Sequence, residues 1–517
     1  MAGLGQLGVE VAFGLPGVHN LAAWKAFPGS GTRLVGVRHE QAAGYAADGY
    51  ARATGRLGVA LTTTGPGAAN IVAATGEAWA SHSPLLVIAT DIPSTVRRPG
   101  VFRGVLHETT DQAGFFRPIT KACLRAEPGD DLAERVRSAG ELAMTHPRRP
   151  VYLELPTDLL AAPNGATRAA AAAVDPDQAP DVTGALALLA AAERPLVWAG
   201  GGAAASGAGT QIASLASRIG APVLTSYGGR GLLPPDHPCL VPLPPHAPEA
   251  GALWDAADLV LVLGSDLDAV NTQGFRQPRP PVVVTVDLVE PVNVPPDVWL
   301  PADVGVVLAL LGPAVESREP WWSRPPGRAA YAGPETAFLD ALESGLPDDV
   351  VVIADMCIPG YWYAGFGRVA RPRGLAYPMG WGTLGFGFPA GLGAALSGRP
   401  AVALVGDGGF LFACGELATA AQEQLALTVV LVDDGGYGML AYDFTKHGQS
   451  PVGCALEPPD FVLLARAFRV EAREVTVDQL GPAVAAGIAA GRPNLLVIKA
   501  AWTPPLNTSP RWYRAQT

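Results

Sequence analysis

Two aspartates, each flanked by glycines and each ending an apolar run, carry the most chemistry in this chain. One lies in Gly406-Asp407-Gly408-Gly409, the other in Asp433-Asp434-Gly435-Gly436-Tyr437-Gly438-Met439. The runs 401–405 and 428–432 predict buried strands, and the stretch 416–425 between them predicts a helix. Such a strand–helix–strand unit crosses over right-handed and places both loops at the carboxyl ends of parallel strands, where open α/β sheets bind ligands. Glycines let the backbone approach an anion, and N–H groups at helix N-termini favour phosphate. Two carboxylates beside a diphosphate repel it unless a cation stands between them. Mg²⁺ would convert that repulsion into oxygen coordination by two carboxylates, a backbone carbonyl, two phosphate oxygens and a water. The competing reading is a pair of ordinary Asp-Gly turns.

A second polar set lies near the start. Val37-Arg-His-Glu-Gln-Ala-Ala-Gly-Tyr-Ala-Ala-Asp-Gly-Tyr-Ala-Arg52 follows a short predicted strand and puts Glu40 at the head of a small-residue helix. The next strand leads into Thr62-Thr-Thr-Gly-Pro-Gly-Ala-Ala-Asn70. By itself Glu40 reads first as a helix-start residue that complements the dipole, and Gly65, Pro66, Gly67 and Asn70 as a plain turn with an Asn cap.

Taken together, GDGG with an acidic pair about 27 residues on, RHE…GYAR and TxGPGxxN resemble the thiamine-diphosphate (ThDP) signature of the acetolactate synthase, benzoylformate decarboxylase and pyruvate oxidase superfamily. The resemblance implies ThDP and Mg²⁺ as cofactors, with Asp407, the Asp434 side chain and the Gly436 carbonyl as metal ligands. Gly406, Gly408, Gly409, Tyr437, Gly438 and Met439 would line the diphosphate, and Gly65, Pro66 and Asn70 the pyrimidine. Relatives carry Asn at the position of Asp433, so its added charge is a departure. Glu40 would be the carboxyl that pairs with the pyrimidine ring and favours its imino form, which then takes the thiazolium proton.

Pro378-Met-Gly-Trp-Gly-Thr-Leu-Gly-Phe-Gly-Phe-Pro-Ala-Gly-Leu-Gly393 is similar to the segment that bends ThDP. Leu384 would be the brace between the rings, against ordinary core as the alternative, and the Gly382 carbonyl would accept from the pyrimidine amino group. The bend matters because it brings two reacting atoms together. Phe13-Gly-Leu-Pro-Gly-Val-His-Asn20 is similar to a loop on the substrate side. Leu106-His107 stands where acetolactate synthases carry Phe-Gln, which makes His107 a candidate proton donor or else a loop histidine bonded to backbone. The implied activity is decarboxylation of a 2-oxo acid with carboligation to a second carbonyl. The alternatives are release of an aldehyde, or a catalytically silent homologue. The implied partner is a second copy of the chain, as dimer or tetramer, with the site at the subunit interface.

The elements that must hold these residues form three blocks of short apolar runs alternating with Ala-rich helical stretches, the rhythm of parallel α/β sheets. The expectation is an α/β chain of three open parallel-sheet domains, Rossmann-like or flavodoxin-like. They comprise residues 1–160 (pyrimidine side), 184–313 (central) and 336–505 (diphosphate side), with a tail at 506–517. Strands are expected at 9–13, 34–37, 59–63, 85–89 and 151–155, then 195–199, 221–225, 259–263 and 282–287, then 350–354, 401–406, 428–432 and 495–499. Residues 161–183 and 316–335 read as linkers, with Trp321 and Trp322 as linker packing.

Apolar residues at 49% and charged residues at 16% mark a folded chain. The net charge of −11, with no basic cluster, argues against nucleic acid. No apolar run approaches a membrane span, and the start lacks a secretory pattern, so a cytoplasmic location is expected. Five scattered cysteines read as free thiols. Arg194-Pro-Leu-Val-Trp-Ala-Gly-Gly-Gly202 is not GxGxxG, so FAD is possible but not favoured. His82 reads as structural.

Overall fold

The computed structural model describes residues 1–161 and 179–505. Most of the first expected linker and the expected tail lie outside the described residues. Three sheets follow in chain order, and every strand pair is parallel.

The first contains β1 (Val11–Gly14), β2 (Arg33–Gly36), β3 (Gly58–Thr62), β4 (Leu85–Asp91), β5 (Ala122–Arg125) and β6 (Val151–Pro156). The second contains β7 (Pro195–Ala199), β8 (Val223–Thr225), β9 (Leu259–Leu263), β10 (Val282–Val286) and β11 (Val298–Leu300). The third contains β12 (Val351–Ala354), β13 (Leu375–Ala376), β14 (Ala401–Gly406), β15 (Leu427–Asp433), β16 (Glu471–Glu474) and β17 (Asn494–Lys499). The fold class expected from the sequence is the one observed.

The first and third sheets share one spatial order, β2-β1-β3-β4-β6-β5 and β13-β12-β14-β15-β17-β16. Four strands had no counterpart in the sequence reading: β5, β11, β13 and β16. All four are sheet edges. An edge strand is covered on fewer sides, so it lacks the continuous apolar run of a central strand. Glu471–Glu474, for example, buries only Ala472. The run expected at 221–225 begins as a strand only at Val223, since Pro222 has no N–H for the ladder. The helix expected at 416–425 is shorter, Leu417–Glu423, and ends at Gln424 with φ of +50°.

The cores of the first and third blocks are continuous. Tyr45, Ile71 and Val87 share one apolar cluster with Val351, Phe386 and Leu431. The seam between the blocks is the crossing of helix Glu40–Thr54 with helix Gly387–Ala394. A Cβ on Gly49 would come within 2.0 Å of the Ala390 carbonyl oxygen, and one on Gly393 within 1.8 Å of the Ala46 carbonyl oxygen. Only glycine permits main chain to meet main chain so closely. Gly393→Ala is therefore expected to lower stability by about 1–3 kcal/mol through overpacking, against a fraction of that at the half-buried Gly415, where a Cβ would meet nothing. Thermal melting of the two variants checks this.

The second block is tied in at several points. His82 Nε2 lies 3.3 Å from Asp266 Oδ2 and 3.2 Å from the Arg149 guanidinium, in keeping with a structural role. Trp321 Nε1 donates to the Pro195 carbonyl at 2.8 Å, and Trp322 packs on the apolar cluster beneath. Cβ atoms on Gly200 and Gly202 would strike Gly264, so these glycines serve backbone packing. No helix among the described residues is long and apolar enough to cross a membrane, and all five cysteines are free.

Candidate active site

Strands β14 and β15 are neighbours in register from Ala401↔Leu427 to Gly406↔Val432. This brings the two acidic loops together at adjacent carboxyl ends, as the glycine pattern requires. Asp407 opens the short helix Asp407–Leu411 and is 1% exposed, yet neither carboxyl oxygen has a hydrogen-bond partner. Asp434 Oδ1 is likewise buried without a partner. Burial pushes the Asp407 carboxyl up to about 7, with the Asp434 charge adding to it. Burial raises Asp434 as well.

The backbone completes the arrangement. A Cβ on Gly408 would come within 3.1 Å of the Gly436 carbonyl oxygen and 2.8 Å of the Tyr437 ring; one on Gly438 would strike Asp434 Oδ2 at 2.1 Å. The Gly436 oxygen thus faces the Asp407 loop. Gly435 and Gly436 have φ of +82° and +149°, open to glycine alone. Tyr437 N–H donates to the Cys454 carbonyl at 2.8 Å, which fixes the loop. Met439 is half-buried on the third-block core. Gly406 packs on Cys357, and Gly409 on the Asp355 carboxyl.

Among the described residues no three His, Cys, Asp or Glu side chains cluster for a metal. The grouping here is two carboxylates and a carbonyl, a hard oxygen set that fits Mg²⁺ rather than a softer ion. Unpartnered buried carboxylates held this close are costly unless protonated or neutralised. Asp433, whose role the sequence left open, turns its Oδ1 toward the Gly435 N–H at 3.3 Å and shapes the turn.

On the first block, Glu40 heads helix Glu40–Thr54 and is 5% exposed. Its Oε2 accepts from Asn70 Nδ2 at 2.9 Å, and its Oε1 faces Gly67, where a Cβ would come within 3.1 Å. Asn70 is not an N-cap; it ends the short helix Pro66–Asn70 and serves Glu40. Gly65 has φ of +63°, and its N–H donates to Gln112 Oε1 at 2.6 Å. Pro66 follows it as the first helical residue.

His107 packs its carbonyl beneath Gly65 and has φ of +65°, a strained backbone for a non-glycine residue. Its ring meets His19 edge-on, with centroids 5.1 Å apart. Nδ1 of each ring is buried without a partner, so the backbone-bonded alternative for His107 is not realised at that nitrogen. Burial, then the neighbouring His107, depresses His19 below the ordinary histidine range. Two imidazoles thus stand together beside the turn that adjoins Glu40. The sequence presents His19 only as part of the substrate-side loop 13–20.

The segment 378–386 carries Gly382 at φ +65° and Gly385 at φ +77°. Leu384 is half-buried and joins neither large apolar cluster, which argues against ordinary core. Asp355 braces this segment. It is fully buried, its Oδ1 accepts from Met356 N–H at 2.8 Å, and its Oδ2 has no side-chain partner. Burial pushes it to about 6, opposed by the amides of Met356, Gly387, Phe386 and Gly385. Sequence reasoning did not single out Asp355, nor a role for Gln112, Glu77 or Glu416. What ties each to the site lies far along the chain: the amides of 385–387 for Asp355, Gly65 for Gln112, Trp381 for Glu77 and Arg38 for Glu416, so no local pattern signals them.

Comparison with known proteins agrees with this geometry. Residues 1–115 match the model described as "Thiamine pyrophosphate enzyme, N-terminal TPP binding domain", residues 182–311 the central domain and residues 357–498 the C-terminal TPP binding domain. The chain is 37% identical over 509 residues to a probable 2-ketoarginine decarboxylase of Pseudomonas aeruginosa, covering 91% of this chain and 88% of that protein. It is 30% identical to a probable acetolactate synthase large subunit of Methanocaldococcus jannaschii, over 95% of this chain and 89% of the relative. It is 31% identical to an acetolactate synthase of Mycobacterium bovis, over 93% and 84%. Domain order, relatives and paired loops agree: the chain belongs to the thiamine pyrophosphate enzymes, as a ThDP-dependent transferase or lyase resembling acetolactate synthase.

Proposed function

We propose that the chain decarboxylates a 2-oxo acid with ThDP and Mg²⁺ and releases the product as an aldehyde. The observation that carries this reading is the His19–His107 pair beside the Gly65 turn. Aldehyde release requires a proton delivered to the reacting carbon, and paired imidazoles with free Nδ1 atoms suit that task. The 37% identity to a decarboxylase points the same way. Carboligation to a second carbonyl is the second reading, favoured by the acetolactate synthases among the relatives.

When bound, ThDP supplies a nucleophilic ring carbon and an electron sink. In this reading Asp407, Asp434 and the Gly436 carbonyl hold Mg²⁺, and Gly406, Gly408, Gly409, Tyr437, Gly438 and Met439 line the diphosphate. Glu40, oriented by Asn70, exchanges a proton with the pyrimidine nitrogen; Gly65 and Pro66 shape that pocket. The Gly382 carbonyl takes the amino group, and Leu384 braces the bend. Units 1–160, 184–313 and 336–505 form the pyrimidine-side, central and diphosphate-side domains. The working form is a homodimer or homotetramer with the site at the subunit interface.

Incubation with ThDP, Mg²⁺ and a panel of 2-oxo acids, including pyruvate and 2-ketoarginine, tests the reading. Aldehyde and CO₂ in equal amounts support it. Acetolactate from pyruvate would select the second reading, and no turnover of any member would remove both. His107→Ala is expected to slow aldehyde release about 10²-fold with ThDP uptake unchanged. A full rate in that variant removes the proton-donor role.

A further inference from the structure

Two buried glutamates outside the cofactor motifs reach across the seam in opposite directions. Glu416, on the third block, is 2% exposed. Its Oε1 accepts from the main-chain N–H of Arg38 at 2.8 Å and of His39 at 3.0 Å, the two residues before Glu40. Its Oε2 accepts from Thr419 Oγ1 at 2.6 Å. Glu77, on the first block, is fully buried. Its Oε2 faces the Trp381 N–H at 3.3 Å and Thr383 Oγ1 at 3.4 Å, the residues that flank Gly382.

Glu77 is held in turn. Its Oε1 accepts from Arg52 at 3.1 Å and Ser81 Oγ at 2.8 Å. Arg52 is locked by both oxygens of Asp48, at 2.9 and 2.7 Å. The same guanidinium donates to the Tyr377 carbonyl at 3.0 Å and sits 4.8 Å from the Phe386 ring centroid. The Trp381 ring lies on Gly76, where a Cβ would come within 2.4 Å. The segment 377–386 is therefore gripped from the first block at both ends and in its middle.

We propose that Glu77 and Glu416 are positioning residues that form a reciprocal clasp, each fixing the segment of the opposite block that meets the cofactor. The proposal rests on the reading that Glu40 and residues 382–384 contact ThDP. Mere adhesion between blocks would not need these targets. A buried carboxylate costs desolvation that an apolar pair would avoid, so buried ions are weak evidence for stability alone. Glu416 turns one oxygen wholly to the two amides before Glu40, and Glu77 turns one to the Trp381 amide and the Thr383 hydroxyl on either side of Gly382. Charge-assisted bonds of this kind are strong and directional, and a shift of about 1 Å in a reacting group can cost about 100-fold in rate.

The test uses full-length protein carrying Glu77→Gln, Glu416→Gln or Thr383→Val. Amide hydrogen exchange of the protein without cofactor reads the clasp directly. Glu416→Gln is expected to speed exchange at Arg38 and His39 about tenfold or more, and Glu77→Gln to do the same at Trp381, each leaving the other segment unchanged. With ThDP and Mg²⁺ added, calorimetry and steady-state rates should split. Glu416→Gln should lower kcat with ThDP affinity near wild type. Glu77→Gln should weaken ThDP affinity about tenfold or more and alter the near-ultraviolet circular dichroism of the bound cofactor. If Glu77→Gln does not fold, Thr383→Val, which removes one bond without touching the ion pairs, should still weaken affinity. Unchanged exchange at both segments, or uniform loosening with a lower melting temperature and no kinetic split, overturns the clasp. Wild-type protein that takes up no ThDP overturns the cofactor reading and the proposal with it; local exchange changes in that case show that the geometry was right and the ligand wrong.

Discussion

Glu40→Gln is expected to bind ThDP almost as the wild type does and to turn over about 10²- to 10⁴-fold more slowly, the range lost when a positioned acid–base group is removed. The substitution keeps the shape of the side chain. Asn70 Nδ2 still finds an oxygen at the head of helix Glu40–Thr54, and Gly67 still leaves room on the other side. What disappears is a group that can both hold and give up a proton at the pyrimidine nitrogen. Binding should survive, because on the proposed reading the acidic loops of the third block, untouched by the substitution, hold the metal and the diphosphate. Calorimetric ThDP uptake and kcat, measured on one preparation, check the split. A variant that keeps its rate would strip Glu40 of its role, and one that loses uptake and rate together would make it a binding residue only.

The second large effect is expected at the acidic pair. Asp434→Ala should raise the Mg²⁺ concentration needed for activity about 100-fold or more, since even groups that only support a metal ligand are worth about 10- to 100-fold. The pair also sets a pH dependence. Asp407, pushed up to about 7, and Asp434, raised as well, are more readily protonated in the folded chain than in the unfolded one. The folded state then binds more protons, and its stability falls as pH rises. That contribution is complete below the ordinary carboxylate value near 4 and is lost as pH climbs through about 7. Mg²⁺ competes with those protons, so its stabilisation should grow over the same window. Melting with and without Mg²⁺ at the two ends of the window reads this in the wild type, and Asp434→Ala should abolish most of the difference. An equal Mg²⁺ shift at both ends would contradict the assignment.

The central strands and the pairing of the acidic loops were legible in the sequence because both are local. An apolar run ending in Asp and glycines states a buried strand and its loop within ten residues, and β14 and β15 lie as that pattern demands. Four of the six edge strands were not legible, since partial exposure leaves a stretch such as Glu471–Glu474 looking like a loop. At the site, Glu40 and Asn70 were found through motifs. The histidine pair was half seen: His107 was named as a proton donor, but nothing in the loop 13–20 announces that His19 meets it across the fold. Glu416 and Glu77 were invisible for a stronger reason. Their targets are main-chain amides about 380 and 300 residues away, and an amide has no residue type to read.

The glycine seam carries a consequence for motion. Where Gly49 rests on the Ala390 carbonyl and Gly393 on that of Ala46, the two halves touch without any cushion of side chains. Helices separated by long side chains can roll or slide as rotamers change; a crossing pinned by two backbone contacts has fewer rotamers to spend. The halves of one subunit should travel as a rigid body. Admission and escape of small molecules should then fall to less deeply packed parts, such as helix Gly438–Lys446, none of whose residues is fully buried.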